Sequence, residues 1–387
     1  MQTDHKDPAT IQTNRNMMAH PSQGGAHPLS AGPTNPQPYQ DAYSGFTEYV
    51  LSINRPQYPS ANEMYLKEQL RSLIDVEIVQ RIQPSARVIP FGSLVNGFAT
   101  ANSDLDLCIL DDSPNPRYKI KTELPEVLAA EFERYGFEVK LLTKTRIPII
   151  KLVQGPTAQF PLGLAMDIGF ENRLALHNTR LLATYSRIDS RLREMVLFVK
   201  HWAKVRGINS SYHGTLSSYG YVLTILHFLI NVASPSCLPN LQHIGAQVPV
   251  PFEELECEGY NIWFFKDLTN IPPSLNRRSI GELMAEYFSY YAQFDFRNMV
   301  ISIRTPGGLL TKTSKGWTQA LDRVGPEDQK VRSRNFLCIE DPFEITHNVG
   351  RTVGKNGLYD IRGEYMRASK LTRARDPRVF RALCEQR

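Results

Sequence analysis

Two acidic residues on one predicted strand have the types and spacing to do chemistry. The segment 91–112 reads FGSLVNGFATANSDLDLCILDD, and Asp104 and Asp106 flank Leu105 within it. Side chains two positions apart on a strand share a face, about 6.6 Å apart along the chain. Two carboxylates on one face of an apolar strand are costly unless a cation lies between them. A pair of Mg²⁺ ions, typically about 3.5–4 Å apart in two-metal sites, would meet that need.

Three further residues favour chemistry over a simple turn cap. A bare D-x-D pair is common and often only caps a turn. However, Asp167, within the apolar run LGLAMDIGF, could supply a third carboxylate from a neighbouring strand. Gly92 lets backbone N–H groups approach a phosphate closely, and Ser93 adds a hydroxyl donor at a helix start. Gly-Ser, a short spacer, D-x-D on a strand and a lone Asp on a later buried strand form a specific combination.

A small sheet is needed to position these residues, and the sequence predicts one between residues 60 and about 172. Ser60 and Glu63 form a capping-box pattern that opens a helix, which Pro84 ends. A second helix is predicted over Glu123–Tyr135. The predicted strands are Val88–Phe91, Leu105–Leu110, Val139–Leu142, Arg146–Leu152 and Leu164–Phe170.

After Asn172 the pattern changes to long helices. They are predicted over Leu192–Val205, Leu216–Val232 and Ile280–Tyr291, with a Pro-rich connection over 233–260. We therefore predict an α+β, bilobal fold, in which an α/β lobe precedes a mainly helical lobe. Ligands usually lie in clefts between two such lobes.

Composition sets wider limits. The 387 residues are 42% apolar and 21% charged, which suits a globular protein of two domains. Five cysteines, odd in number and without a C-x-x-C pair, indicate neither a disulfide framework nor a zinc knuckle. No apolar run approaches the roughly 20 residues of a membrane span. Because no secretory h-region opens the chain either, we expect a cytoplasmic protein without membrane contact.

The two ends of the chain differ from its middle. Residues 1–45 are rich in Pro, Gln, Asn, His and Gly, which predicts disorder. The formal net charge is +5, and residues 351–387 carry ten Lys/Arg against four Asp/Glu, a local balance of +6. A basic end suits a polyanionic partner, although a solvated tail explains it equally well.

At this point the sequence resembles the DNA polymerase β-like nucleotidyltransferases. The resemblance is to the cytoplasmic Cid-type poly(A)/poly(U) polymerases, in particular to the terminal uridylyltransferases among them, and covers about residues 45–375. Besides the GS…DLD element, the strings that carry it are TRIPIIKL (145–152), MDIGFENRLALHNT (166–179), VKHWAKVRGINS (199–210), GTLSSYGYV (214–222) and IEDPFEITHNVGRTV (339–353).

The resemblance implies a polymerase β-like catalytic lobe with a mixed sheet, and a mainly helical central lobe with a PAP-associated region. The implied divisions are a disordered segment 1–45, a catalytic domain 60–172, a central domain of 46–59 and 173–375 with a base-reading loop 339–353, and a basic tail 376–387. The segment Val153–Leu162 departs from the family pattern.

The resemblance also implies a role for each matching residue. Asp104, Asp106 and Asp167 would hold two Mg²⁺ or Mn²⁺ ions, and Asp167 would help to deprotonate the attacking 3′-OH. Apart from the resemblance, Lys144, Arg146 and Lys151 are basic residues near the expected cleft and are candidates for RNA backbone contacts. The residues expected to bind the nucleotide are Phe91, Gly92, Ser93, Asn172, Asn178, Thr179, Lys200, Lys204, Ser218, Tyr219, Asp341, Glu344 and His347.

Within that set, the resemblance assigns each part of the nucleotide to its own residues. Lys200 and Lys204, at i and i+4 on one helix, would clamp the triphosphate with Ser218. Tyr219 would stack on the base, Asn178 with Thr179 would sense the ribose 2′-OH, and Asp341, Glu344 and His347 would read the base. Taken alone, such lysines are more often solvated, and such a tyrosine or histidine is more often structural. Because long strings that match the family surround each of these residues, we favour the functional roles over the structural ones.

The expected activity is template-independent addition of uridylates from UTP to the 3′ end of single-stranded RNA, by a monomer. A protein slot that reads the base should discriminate only about 10–10²-fold, so some ATP use is expected. The alternatives are a cytoplasmic poly(A) polymerase using ATP, an enzyme that transfers a nucleotide to a small molecule, and an inactive RNA-binding or scaffold protein. A partner of the N-terminal segment is not identified by the sequence.

Overall fold

The computed structural model describes residues 42–244, 255–319, 321–324 and 330–387. The predicted disordered segment 1–45 therefore lies outside the described residues, except for its last four positions. The Pro-rich connection predicted over 233–260 is described up to residue 244 and again from residue 255.

A mixed five-stranded sheet occupies the first half of the described chain. Its order is β1-β2-β5-β4-β3; β2 and β5 are parallel, and the other neighbours are antiparallel. Alternate residues of the strands are buried under helices on one face, and together they form what we call the sheet core. The strands are β1 Ala86–Pro90, β2 Leu105–Asp111, β3 Glu138–Leu142, β4 Ile149–Gln154 and β5 Leu164–Phe170.

Three helical segments border this sheet. Helix α2 continues through a π-helical turn, Ile74–Val79, into α3, and with α5 it covers the sheet core. The short α4 follows β1 directly and packs against the first helix of the second half. The bounds are α2 Ala61–Leu73, α3 Gln80–Ile82, α4 Ser93–Asn96 and α5 Leu124–Arg134.

Helices form the second core, which we call the helical core. Aromatic side chains fill its centre, where Tyr365 contacts both Trp202 and Tyr287. The helices are α1 Ser44–Asn54, α6 Arg173–Ile188, α7 Ser190–Val205, α8 Ser218–His227 with a π-helical extension Phe228–Val232, α9 Ile280–Ala292, α10 Lys355–Arg373 and α11 Pro377–Phe380. Short strand pairs join them: β6 Glu256–Cys257 with β7 Tyr260–Asn261, β8 Met299–Ile301 with β9 Leu309–Thr311, and β10 Leu321–Val324 with β11 Lys330–Ser333.

Both ends of the described chain pack into the helical core. Phe46 and Val50 of α1 are fully buried there, although α1 precedes the sheet in sequence. Phe380 lies 4.7 Å from Phe46, measured between ring centroids, and Leu383 is also buried. The segment 376–387, predicted as a separate basic tail, is thus anchored by apolar contacts.

The α+β architecture, with a mixed sheet followed by helices, is confirmed, but two local predictions were wrong. Strand β4 begins at Ile149 rather than Arg146, because residues 144–147 form a bend and Pro148 has no N–H to donate to a strand partner. The Ser60 hydroxyl does cap α2, but the Glu63 side chain does not complete a capping box. The complete box lies at Ser279 and Glu282 on α9. Among the described helices, none is both long and apolar enough to cross a membrane.

We predict that Gly281→Ala destabilises the protein by about 1–3 kcal/mol, because α1 leaves no room for a methyl group. A Cβ at Gly281 would lie 2.5 Å from the Tyr43 carbonyl oxygen and 2.8 Å from Thr47 Oγ1. The matched control is Gly363→Ala on α10, where a Cβ meets nothing within 4 Å. That variant should gain up to about 1 kcal/mol from helix propensity. Urea unfolding of the three proteins tests both signs, and equal midpoints for Gly281→Ala and the unsubstituted protein would contradict the packing described.

Candidate functional site

The sheet brings together three carboxylates that are distant in sequence. Asp106 on β2 lies opposite Asp167 on β5 in the parallel register. Asp104 stands one residue before β2, not within it as predicted, and is exposed. Because Leu105 and Leu107 point into the sheet core, the acids lie on the other face. The sheet therefore brings the three carboxylates to one face, and their role as metal ligands stays a prediction.

These carboxylates are crowded enough to alter their own titration. Burial first, and then the adjacent Asp167 and Asp104 carboxylates, together raise the pKa of Asp106 to about 7. The pKa of Asp104 is also raised, first by burial and then by Asp167. Oxygen ligands in such a cluster suit a hard divalent cation, whose charge would offset the repulsion.

One protein cation already lies beside this cluster. Lys151 on β4 faces Asp167 across the sheet, and its Nζ lies 2.5 Å from Asp167 Oδ2. Among the described residues, no three carboxylate, thiol or imidazole groups are close enough to hold one metal ion as they stand. In this structure, Lys151, predicted to contact RNA, is paired with a predicted metal ligand.

Gly92 allows the start of α4 to pack closely against the Asp106 carboxylate. Gly92 has φ +70°, and a Cβ there would overlap the Asp106 carboxylate. Both the backbone conformation and the lack of space therefore exclude a larger residue. Its N–H donates to Thr179 Oγ1 at 3.1 Å, and Phe91 N–H donates to the Asp106 carbonyl at 3.0 Å. Thr179, predicted to assist Asn178 at the ribose, is therefore engaged in holding Gly92.

Sequence reasoning missed the two residues that hold the turn before β2. Asn102 has φ +58°, and its N–H donates to Glu63 Oε1 at 2.9 Å. Lys67, only 2% exposed, donates to Glu63 Oε1 at 2.7 Å and to the Ser103 carbonyl at 2.5 Å. Glu63 and Lys67 thus fix the backbone that leads into Asp104. Glu63 was noticed only as half of a capping box.

Helix α7 supplies positive charge opposite the acids. Lys200 donates from Nζ to the Phe98 carbonyl at 2.9 Å, and burial lowers its pKa. Lys204, one turn later, is exposed. Both line the same cavity as Asp104 and Asp106.

A buried aspartate joins α6 and α8 to the loop predicted to read a base. Asp341 is 4% exposed, and its carboxylate accepts hydrogen bonds from Tyr219 Oη at 2.9 Å and Asn178 Nδ2 at 3.1 Å. Burial raises the pKa of Asp341. Asn178 Oδ1 is buried and has no hydrogen-bond partner among the described residues. An unused acceptor next to a cavity is suited to a ligand hydroxyl.

The rest of that loop is a compact turn. Asp341 Oδ1 accepts the N–H groups of Phe343 and Glu344, both at 3.0 Å, and His347 N–H donates to the Glu344 carbonyl at 2.7 Å. The Glu344 carboxylate is 2.5 Å from Nη1 of Arg146. Arg146, a second predicted RNA contact, is therefore also paired with an acid of the site.

A cavity of about 730 Å³ lies between the two cores and collects many of the predicted residues. The predicted residues that line it are Phe91, Gly92, Ser93, Asp104, Asp106, Asn178, Thr179, Lys200, Lys204, Ser218 and Tyr219. Asp167, Asp341, Glu344 and His347 are not among the lining residues. Asp167 lies opposite the lining residue Asp106, and the Asp341 carboxylate accepts hydrogen bonds from Tyr219 and Asn178 of the lining. Asn172 and Lys144 do not line the cavity; the Asn172 N–H donates to Cys108 Sγ at 3.4 Å, and Lys144 is exposed in the β3–β4 turn.

Other lining residues were not predicted. Asn209 holds Ser218 through a hydrogen bond of 3.0 Å from Nδ2 to Oγ, and His201 lies between the two lysines in sequence. Both belong to the string VKHWAKVRGINS, whose match to the family could have identified them. Gln57 comes from the turn after α1, for which the sequence offers no signal.

Comparisons with known proteins agree with this geometry. Residues 46–187 match the family model for the central palm domain of mitochondrial-like poly(A) RNA polymerase, and residues 279–347 match that for Cid1 family poly(A) polymerases. The chain is 44% identical over 353 residues to terminal uridylyltransferase cid1 of Schizosaccharomyces pombe, covering 90% of this chain and 84% of that protein. It is 34% identical over 324 residues to human terminal uridylyltransferase 4, covering 81% of this chain but 18% of that protein.

Solved structures of Cid1 have the same fold. One, studied for its RNA terminal uridylyl transferase activity, has a TM-score of 0.79 and 43% identity, covering 88% of this chain and 98% of that chain. Another holds the UTP analogue UMPNPP, with a TM-score of 0.76 and 41% identity over 88% of this chain and 98% of that one. A third holds the short product ApU, with a TM-score of 0.77 and 41% identity over 89% and 99%.

These matches confirm the resemblance found in the sequence and the polymerase β-like fold it implied. A relative that is 44% identical and covered over 84% of its length establishes common descent for nearly the whole described chain. This chain belongs to the Cid1-type terminal uridylyltransferase family of nucleotidyltransferases.

Proposed function

We propose that this chain adds uridylates from UTP to the 3′ end of single-stranded RNA, without a template, and releases pyrophosphate. The observation that carries the proposal is one cavity with acids on one wall and cations on another. Asp104 and Asp106 line it from the sheet, and Lys200 and Lys204 line it from α7. Such a cavity suits a triphosphate held between divalent cations and ammonium groups.

The three aspartates fit a pair of divalent cations, Mg²⁺ or Mn²⁺. The fit rests on the donor set, which offers only oxygen atoms, and on the crowding of the carboxylates. Burial first, and the neighbouring carboxylates second, raise the pKa values of Asp104 and Asp106. When bound, the cations would polarise the attacking hydroxyl and neutralise the leaving pyrophosphate. The ion pair between Lys151 and Asp167 would weaken when the cations bind to Asp167.

The protein residues then position the reactants. Gly92 lets the phosphates approach the start of α4 closely, and Ser93 presents its backbone N–H and its hydroxyl to them. Lys200 and Lys204 offset the charge of the β- and γ-phosphates, with Ser218 as a further donor. Asp167 accepts the proton of the RNA 3′-OH. Since little covalent chemistry falls to the protein, positioning and electrostatics provide the rate.

Base and sugar recognition fall to the far wall of the cavity. Tyr219 stacks on the base while its hydroxyl holds Asp341. The Asn178 amide oxygen accepts from the ribose 2′-OH, which deoxyribonucleotides lack. Asp341, Glu344 and His347, in the loop that holds this wall, form the slot that reads the base and crowds the larger adenine. The relative with 44% identity is a uridylyltransferase, so the poly(A) polymerase alternative is not favoured.

RNA contacts are proposed at the turn between β3 and β4. Lys144 is exposed in the turn before β4, where a phosphate can reach it. Binding through such contacts should be sensitive to salt and only weakly sequence-specific. A monomeric state and a cytoplasmic location are part of the same proposal.

We predict that Asp106→Asn lowers RNA extension at least about 10²-fold, because a cation ligand is lost at the reacting centre. The matched control is Asp112→Asn, in the same segment but with its side chain 74% exposed and outside the cavity. Extension of a short RNA with UTP on a gel measures both variants. Thermal unfolding should show no loss of stability in Asp106→Asn, since the change removes a repulsive charge. Full extension by Asp106→Asn would contradict the assignment.

We predict that EDTA abolishes extension and that excess Mg²⁺ or Mn²⁺ restores it, because without divalent cations the carboxylates repel the triphosphate. The measurement is the extension rate against free cation concentration. Activity that survives chelation would exclude this mechanism.

We predict that His347→Ala shifts nucleotide preference from UTP towards ATP, on the order of 10-fold, because the slot widens. The control is His243→Ala, at an exposed position outside the cavity. Extension with each of the four triphosphates separately gives the preference. An unchanged ratio of UTP to ATP use in His347→Ala would argue against this account of base choice.

A further inference from the structure

One ion pair links the catalytic sheet to the base-reading loop. Arg146 lies in the turn between β3 and β4, and Glu344 is 198 positions later in the loop after β11. Their Nη1 and Oε2 atoms are 2.5 Å apart. The Arg146 side chain is 57% exposed, whereas that of Glu344 is only 14% exposed. The carboxylate is thus largely withdrawn from water and depends on its partner more than a surface acid would.

The rest of the loop is held from the helical side. The Asp341 carboxylate accepts the N–H groups of Phe343 and Glu344, so the backbone of the turn is fixed. Lys315 donates to the Ile345 carbonyl at 2.6 Å. By contrast, the side chain of Glu344 is held from the sheet, through Arg146. The position of this one base-reading side chain therefore depends on how the sheet and the loop meet.

The pairing changes what Arg146 can do. The sequence suggests an RNA phosphate contact, but a guanidinium bound to a carboxylate has much of its charge offset. Lys144, in the same turn, is exposed and forms no ion pair with any residue that the structure describes. Of these two cations, Lys144 is the one available to a phosphate.

We infer that Arg146 is a specificity-determining positioning residue, which holds Glu344 in place for nucleotide selection rather than binding RNA. This inference rests on the proposed function and deepens it. Because Glu344 adjoins Asp341, and Asp341 holds Tyr219 and Asn178, a displaced Glu344 disturbs the wall against which the base docks. Glu344 is therefore in position to read the base only while the sheet, through Arg146, contacts the loop.

The test separates nucleotide effects from RNA effects. Arg146→Ala, Glu344→Gln, their double variant and Lys144→Ala are compared with the unsubstituted chain. Extension rates are measured against UTP and ATP concentration at saturating RNA, and against RNA concentration at saturating UTP. Thermal unfolding of each protein checks that the fold is retained.

Loss of one partly exposed pair should change affinity about fivefold. We expect Arg146→Ala to raise the KM for UTP by that factor, to narrow the preference for UTP over ATP, and to leave the KM for RNA unchanged. The double variant should be no worse than Glu344→Gln alone, because both changes break one interaction. Arg146→Lys should recover part of the loss, and Lys144→Ala should raise the KM for RNA only.

A higher KM for RNA in Arg146→Ala, with unchanged KM for UTP, would overturn the inference and restore the RNA contact. So would additive losses in the double variant. An unsubstituted chain that extends RNA with another nucleotide would instead overturn the proposed preference for UTP. In that case the same variants, compared on the nucleotide that is used, still decide the role of Arg146.

Discussion

The site depends on the parallel pairing of β2 with β5, which sets Asp106 directly opposite Asp167. Burial first, and then repulsion from the like charges of Asp167 and Asp104, raises the pKa of Asp106. A fold that served stability alone would place apolar or oppositely charged residues there. The cost is explained if a divalent cation supplies the missing charge during the reaction.

Much of the surrounding structure offsets the repulsion between the carboxylates and fixes their positions. Lys151 offsets Asp167 from β4, and Lys67 with Glu63 holds the strained turn at Asn102. The second half of the chain contributes what the sheet lacks, namely the lysines of α7 and the aromatic wall of α8. Since α1 packs with those helices, the chain crosses between the two cores before and after the sheet. The cavity lies where the cores meet.

The sequence allowed prediction of features governed by local pattern. The apolar runs around Leu105 and Met166 predicted two buried strands, and the two-residue spacing predicted that Asp104 and Asp106 share a face. The long family strings predicted Lys200, Ser218 and Tyr219 at the cavity. Contacts between distant segments could not be predicted from the sequence. Neither the hydrogen bond between Glu63 and Asn102 nor the ion pair between Arg146 and Glu344 produces a periodic pattern in the sequence. Both contacts depend on how elements distant in sequence pack together. A single sequence contains no local pattern that predicts such packing.

The central claim is that the three aspartates act together as one cation site. Binding of Mn²⁺ in the presence of a non-hydrolysable UTP analogue, followed by electron paramagnetic resonance, tests it without reference to turnover. The account predicts that the unsubstituted chain binds Mn²⁺ and that Asp167→Asn loses most of that binding although it stays folded. Equal Mn²⁺ binding by Asp167→Asn and the unsubstituted chain would contradict the account.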